Sequence, residues 1–142
     1  MNSSGEDFRK QAVFGAADGV AAVIGLVALV GTPHALFKAA LGVALAELVG
    51  MTAGAWLSAD EEDAGFLHAL ANGASAFTCV IAPAVPFLFL HGWPAVAAAL
   101  AVITAIGAVI TLLRSERGWP AVAKTYGVLA TAAVVCVAAA FI

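Results

Sequence analysis

The chain has 142 residues, 63% of them hydrophobic and only 11% charged, with a mean hydropathy of +1.04. A soluble domain is about 45–50% apolar and about 25% charged, so these totals exclude one and point to an all-α integral membrane protein with a single domain, residues 1–142. The net charge of -3 and the six basic residues also exclude a nucleic-acid binder.

Residues 1–7 are polar. Ser4 followed by Asp7 resembles a capping box, which starts the first helix near Phe8. Arg9 and Lys10 ahead of an apolar run imitate a signal peptide. Asp18 interrupts that run, and apolar segments continue to the C-terminus, so the segment reads as retained. The first helix is expected over 8–30 and ends at Gly31, Thr32 and Pro33. The others are expected over 35–58, 65–90, 94–113 and 119–142. Pro83 and Pro86 are expected to kink the third. Each span is near or above the ~20 residues that cross ~30 Å of hydrocarbon.

Five crossings put the termini on opposite sides. With the N-terminus cytoplasmic, Arg9, Lys10, Arg114, Arg117 and Lys124 fall inside and only Lys38 outside, as the positive-inside rule requires. Trp56 and Trp119 then sit near the inner interface and Trp93 near the outer one. Which membrane is crossed does not follow from the residues; in a bacterium it is the cell membrane. No internal repeat is visible, so symmetry is expected from a homodimer.

Two acids lie inside helices, Asp18 in the first and Glu47 in the second. An acid at mid-membrane costs about 2.5–3.5 kcal/mol on insertion scales and marks a functional site by default. Both lie about 15 Å from the inner ends of their helices at the 1.5 Å rise per residue. No Lys or Arg within the spans is placed to pair with them. Two acids at one depth suit a cation site, and a two-fold dimer makes four; two structural carboxylates are the alternative. Met51, at i+4 from Glu47, shares its face and offers a soft thioether for a borderline transition metal, or simply fills apolar space. Gly15 and Gly19 bracket Asp18, and Gly50 and Gly54 lie beside Glu47; such pairs mark close helix–helix contacts.

The third helix carries a stripe of His68, Asn72, Ser75 and Cys79 on one face. It serves interhelical hydrogen bonding or lines a pathway, with Asn72 and Ser75 as the lining residues. Asp60, Glu61, Glu62 and Asp63 form either a solvated turn or a negative field that gathers cations at a pore mouth, with His68 nearby as an auxiliary metal or proton group. His34 and His91 read as interfacial, and Cys79 and Cys136 as small buried hydrophobes. No nucleophile–base pair, phosphate loop or HExxH-type motif is present, so an enzyme is not expected.

The run Phe14-Gly15-Ala16-Ala17-Asp18-Gly19, the segment Ala46-Glu47-Leu48-Val49 at its spacing from Asp18, and Ala76-Phe77 followed by Pro83 and Pro86 resemble the first three helices of the vacuolar iron transporter family. The resemblance covers residues 8–142. It implies a five-helix homodimer that exports Fe²⁺ or a related ion such as Mn²⁺ from the cytosol in exchange for protons, with Asp18 and Glu47 as transport carboxylates. The family separates its second and third helices with a glutamate-rich cytoplasmic domain; here only the acidic turn stands there. It also places a pathway methionine two turns after the glutamate, where this chain has Ala55, with Met51 one turn nearer.

The expected function is therefore proton-coupled export of a divalent transition metal, with no permanently bound cofactor. The metal is cargo at Asp18 and Glu47, with Met51 as a further ligand, and the partners are a second copy, the lipid bilayer, divalent metal ions and protons. The alternatives are a non-transporting membrane module that binds a metal or a partner, and a small proton-coupled exporter of organic cations.

Overall fold

The computed structural model describes residues 3–29, 32–57, 66–114 and 118–139. Among them every regular element is helical: α1 (Ser3–Leu29), α2 (Pro33–Leu57), α3 (Phe66–Ala84), α4 (Pro86–Phe89), α5 (Trp93–Leu113) and α6 (Trp119–Ala139). Five helical segments are long and apolar enough to cross a membrane, α3 and α4 together forming one of them.

Local chemistry sets the boundaries. Pro33 opens α2, where its missing N–H goes unused, and the Leu36 amide donates to the Thr32 carbonyl at 2.9 Å. Gly92 and Gly118 adopt φ of 63° and 85°, conformations that a side chain disfavours, and each precedes a Trp-Pro helix start. The kink expected at the paired prolines is a break at Val85. The Val85 amide still reaches the Ile81 carbonyl at 3.1 Å, but Pro86 has no N–H and α4 starts afresh.

One expected boundary differs. Helix α1 starts at Ser3, so Ser4 and Asp7 lie within its span and not ahead of it. The apolar span proper still begins at Phe8. Propensity lets a polar turn extend the helix ahead of the hydrocarbon segment.

Helix α3 is the most buried of the membrane-length segments and lies between α1 and α2. Small residues permit this. A Cβ on Gly15 would collide with the Asn72 carbonyl and the Ser75 hydroxyl of α3, and one on Gly19 would collide with the Ala76 carbonyl. On the other side, a Cβ on Gly73 would collide with the Leu48 carbonyl and the Thr52 hydroxyl of α2. The core continues through Val20, Leu36, Ala40, Ala44, Val80 and Ala84, then Ala95 and Ala99 of α5, all essentially sealed from outside. Helix α6 joins α5 through the Tyr126 hydroxyl, which donates to the Thr104 carbonyl at 3.0 Å.

Outside this core, large apolar side chains face outward, among them Leu57, Leu67, Leu112 and Val134. On a soluble chain such a surface would aggregate; in a bilayer it is the solvated face. The hydroxyls of Thr78, Thr104 and Thr131 are exposed, yet each donates to the carbonyl four residues back at 2.8 Å. That satisfies them where no water is present. Trp93 and Trp119 are 83% and 79% exposed at the starts of α5 and α6, opposite ends of an antiparallel pair, as interfacial belts require.

Candidate functional site

Helices α1 and α2 both pack on α3, and the two acids lie close in sequence to those contacts. Asp18 is one turn past Gly15, and Glu47 is next to Leu48, so the two α3 contacts set the acids at one level. The Asp18 charge lies within electrostatic reach of Glu47, and Glu47 in turn lies within reach of the Cys79 thiol on α3. Glu47 is half-buried and its Oε2 is sealed from outside with no hydrogen-bond partner; Asp18 is exposed. The close contact expected of the acids is thus only half realised within one chain.

A cleft of about 690 Å³ opens between α1 and α2, with neither carboxylate among its lining residues. Lys10, Gln11 and Phe14 of α1 form one wall, Met51, Gly54 and Ala55 of α2 the other, and Asn72 of α3 contributes from between them. Gln11 and Phe14 precede Asp18 by two turns and one turn on the same helix face. Met51 and Ala55 follow Glu47 by one turn and two. The cleft therefore lies toward the end where α1 begins and α2 ends, and its lining stops one turn short of each carboxylate. Met51 and Ala55 line it together, so the thioether occupies the same passage as the methionine position held here by Ala55.

Asn72 is 4% exposed, and its Oδ1 has no hydrogen-bond partner among the described residues. The Thr52 hydroxyl, beside Gly73, is in the same condition. These orphan oxygens contrast with the self-satisfied threonines on the outer face. Buried polar atoms are normally paired, and one that is not asks for an explanation such as a ligand or water.

The remaining expected residues lie elsewhere. Ser75 donates to the Asn72 backbone carbonyl at 2.8 Å and, with Cys79, borders a separate apolar groove between α1, α3 and α5. His68 packs edge-on against Phe8, with ring centroids 5.8 Å apart, near the starts of α3 and α1. Asp60, Glu61, Glu62 and Asp63 lie outside the described residues. Gly50 and Gly54 have nothing within 4 Å of a would-be Cβ, so this pair makes no close contact among the described residues. Both cysteines are free; Cys79 is buried and Cys136 half-buried. Among the described residues no three His, Cys, Asp or Glu side chains cluster; the described residues here are the two carboxylates, neutral donors and Lys10 in the cleft wall.

Sequence reading passed over Lys10, Gln11 and Phe14 at the cleft, and Thr52 and Gly73 at the α2–α3 contact. Gln11 and Phe14 carried a signal in their helical spacing from Asp18; Gly73, following Asn72 on a polar stripe, carried another. The described fold is all-helical, with five segments long and apolar enough to cross a membrane and an acid within each of two of them. Comparison of the chain with protein-family models, curated proteins and solved structures gives no match.

Proposed function

We propose that the chain is a proton-coupled exporter of a divalent transition metal, Fe²⁺ or Mn²⁺, working as a homodimer with its N-terminus in the cytoplasm. The observation that carries this reading is that Asp18 and Glu47 lie within electrostatic reach of each other, one turn along their helices from Phe14 and Met51 of the cleft, with Glu47 Oε2 buried and unpartnered among the described residues. Unpaired acids at this depth are tolerated where they bind a cation or line a pathway. Met51 adds a sulfur suited to a transition metal over Mg²⁺ or Ca²⁺. The resemblance to the vacuolar iron transporter family, residue by residue at Asp18 and Glu47, supports the same cargo. Exposure of Asp18 within an apolar span supports a second copy that covers it. The Lys and Arg distribution then puts the mouth of the cleft in the cytoplasm.

Metal requires the charged carboxylates, and protons neutralise them, so the two compete for one site. Access alternating between the two sides turns this competition into exchange: metal enters from the cytoplasm, and protonation from a more acidic outer side releases it. The same linkage makes apparent metal affinity fall as pH falls.

Metal analysis of the purified dimer tests the proposal. Wild-type protein should retain Fe²⁺ or Mn²⁺ after dialysis at neutral pH, and Glu47→Gln should lose it; equal retention contradicts the site. Binding without flux in liposomes would make the chain a metal-binding module. An organic-cation exporter is disfavoured because Phe14 is the single aromatic side chain along the cleft among the described residues, too few for a cage.

A further inference from the structure

Asn72 stands where the helices carrying the two acids converge on α3. On one side its Oδ1 faces α1, where a Cβ on Gly15 would lie 2.7 Å away. On the other, the next residue, Gly73, receives Leu48 and Thr52 of α2. Asp18 is one turn from the first contact, and Glu47 adjoins the second. The side chain is 4% exposed yet borders the cleft, and Oδ1 makes no hydrogen bond within the described chain. Its backbone carbonyl, by contrast, accepts the Ser75 hydroxyl at 2.8 Å. A packing role would be met by any apolar residue of this size, without a buried carbonyl oxygen lacking a donor.

We infer that Asn72 Oδ1 is a third ligand of the cation held between Asp18 and Glu47, so that each of three helices supplies one oxygen. This rests on the metal-binding reading above. A carboxamide oxygen carries no charge and takes up no proton in the physiological range. It stays a donor while the carboxylates alternate between charged and neutral forms. The ion would thus keep one fixed contact on the most buried helix while its charged ligands come and go. A hard amide oxygen beside two carboxylates also suits a divalent ion that accepts oxygen ligands, such as Mn²⁺.

The test is Mn²⁺ binding to the full-length protein in lipid nanodiscs, following free Mn²⁺ by electron paramagnetic resonance. Wild type, Glu47→Gln, Asn72→Ala and Asn72→Asp are compared, with circular dichroism and gel filtration to verify folding. Wild type should bind, Glu47→Gln should lose binding, and Asn72→Ala should weaken it about tenfold or more. Asn72→Asp, which keeps an oxygen at that position, should bind at least as tightly as wild type. If Glu47→Gln loses binding while Asn72→Ala keeps wild-type affinity, the inference is overturned and the metal site stands. If Asn72→Ala and Asn72→Asp weaken binding equally, Asn72 acts through packing and the inference is again overturned. If wild type does not bind, or Glu47→Gln binds unchanged, the metal reading falls and the third ligand with it. Should Asn72→Ala not fold, Asn72→Ser takes its place, with the same outcomes.

Discussion

A single methyl group separates Gly15 from a collision with three atoms of α3, among them the carboxamide oxygen of Asn72. Gly15→Ala should therefore push α1 away from α3, with an overpacking penalty of about 1–3 kcal/mol. Unfolding in mixed detergent, compared with wild type, checks this. The same substitution should weaken metal binding, because Asp18 rides on the displaced helix. Asp18 and Glu47 were readable in the sequence because a charge within an apolar helix is conspicuous. Met51 was readable from its i+4 spacing to Glu47. The state of Asn72 was not. Its place on the stripe could be counted, but its burial and its orphan oxygen arise only when Gly15 and Leu48 approach it from two other helices.

Among the elements, α3 is the one against which α1 and α2 are aligned. The two glycine pairs behave differently for this reason. Gly15 and Gly19 seat α1 on α3, whereas a Cβ on Gly50 or Gly54 would meet nothing within 4 Å among the described residues. Helical spacing shows which residues share a face, but not which neighbour that face will meet. The α2 contact is instead made through Gly73, on the opposing helix. Gly73→Ala should accordingly destabilise the fold by about 1–3 kcal/mol. Gly50→Ala should leave it unchanged or slightly firmer, since alanine costs less backbone entropy in a helix. Steric-trap or detergent unfolding of the two variants side by side separates these outcomes. The helix count, the breaks at Pro33 and Gly92, and the interruption between Pro83 and Pro86 were all legible, because each is set by local chemistry. The start of α1 was not, because a polar turn obeys helix propensity and carries no hydrophobic pattern.

At the scale of the whole molecule, the bundle is apolar outside; Glu47, Thr52 and Asn72 hold orphan oxygens within the α1–α2–α3 convergence, and Thr125 holds another on α6. The proposed topology puts the N-terminus in the cytoplasm and the C-terminus across the membrane. In intact cells protease should remove an epitope tag at the C-terminus and spare one at the N-terminus until the cells are lysed; equal fates for the two tags in intact cells would contradict it. Asp18, exposed on a single chain, is expected to be covered in the proposed dimer, which then gathers four carboxylates around one passage. The central claim is that these carboxylates exchange metal for protons. Its most direct measurement is proton movement in liposomes containing the purified protein, reported by an interior pH dye when Mn²⁺ is added outside. Mn²⁺ should drive protons out of the wild-type vesicles, and Glu47→Gln should abolish the signal. Proton flux that is equal in the two proteins, or absent from wild type that binds Mn²⁺, would contradict the account.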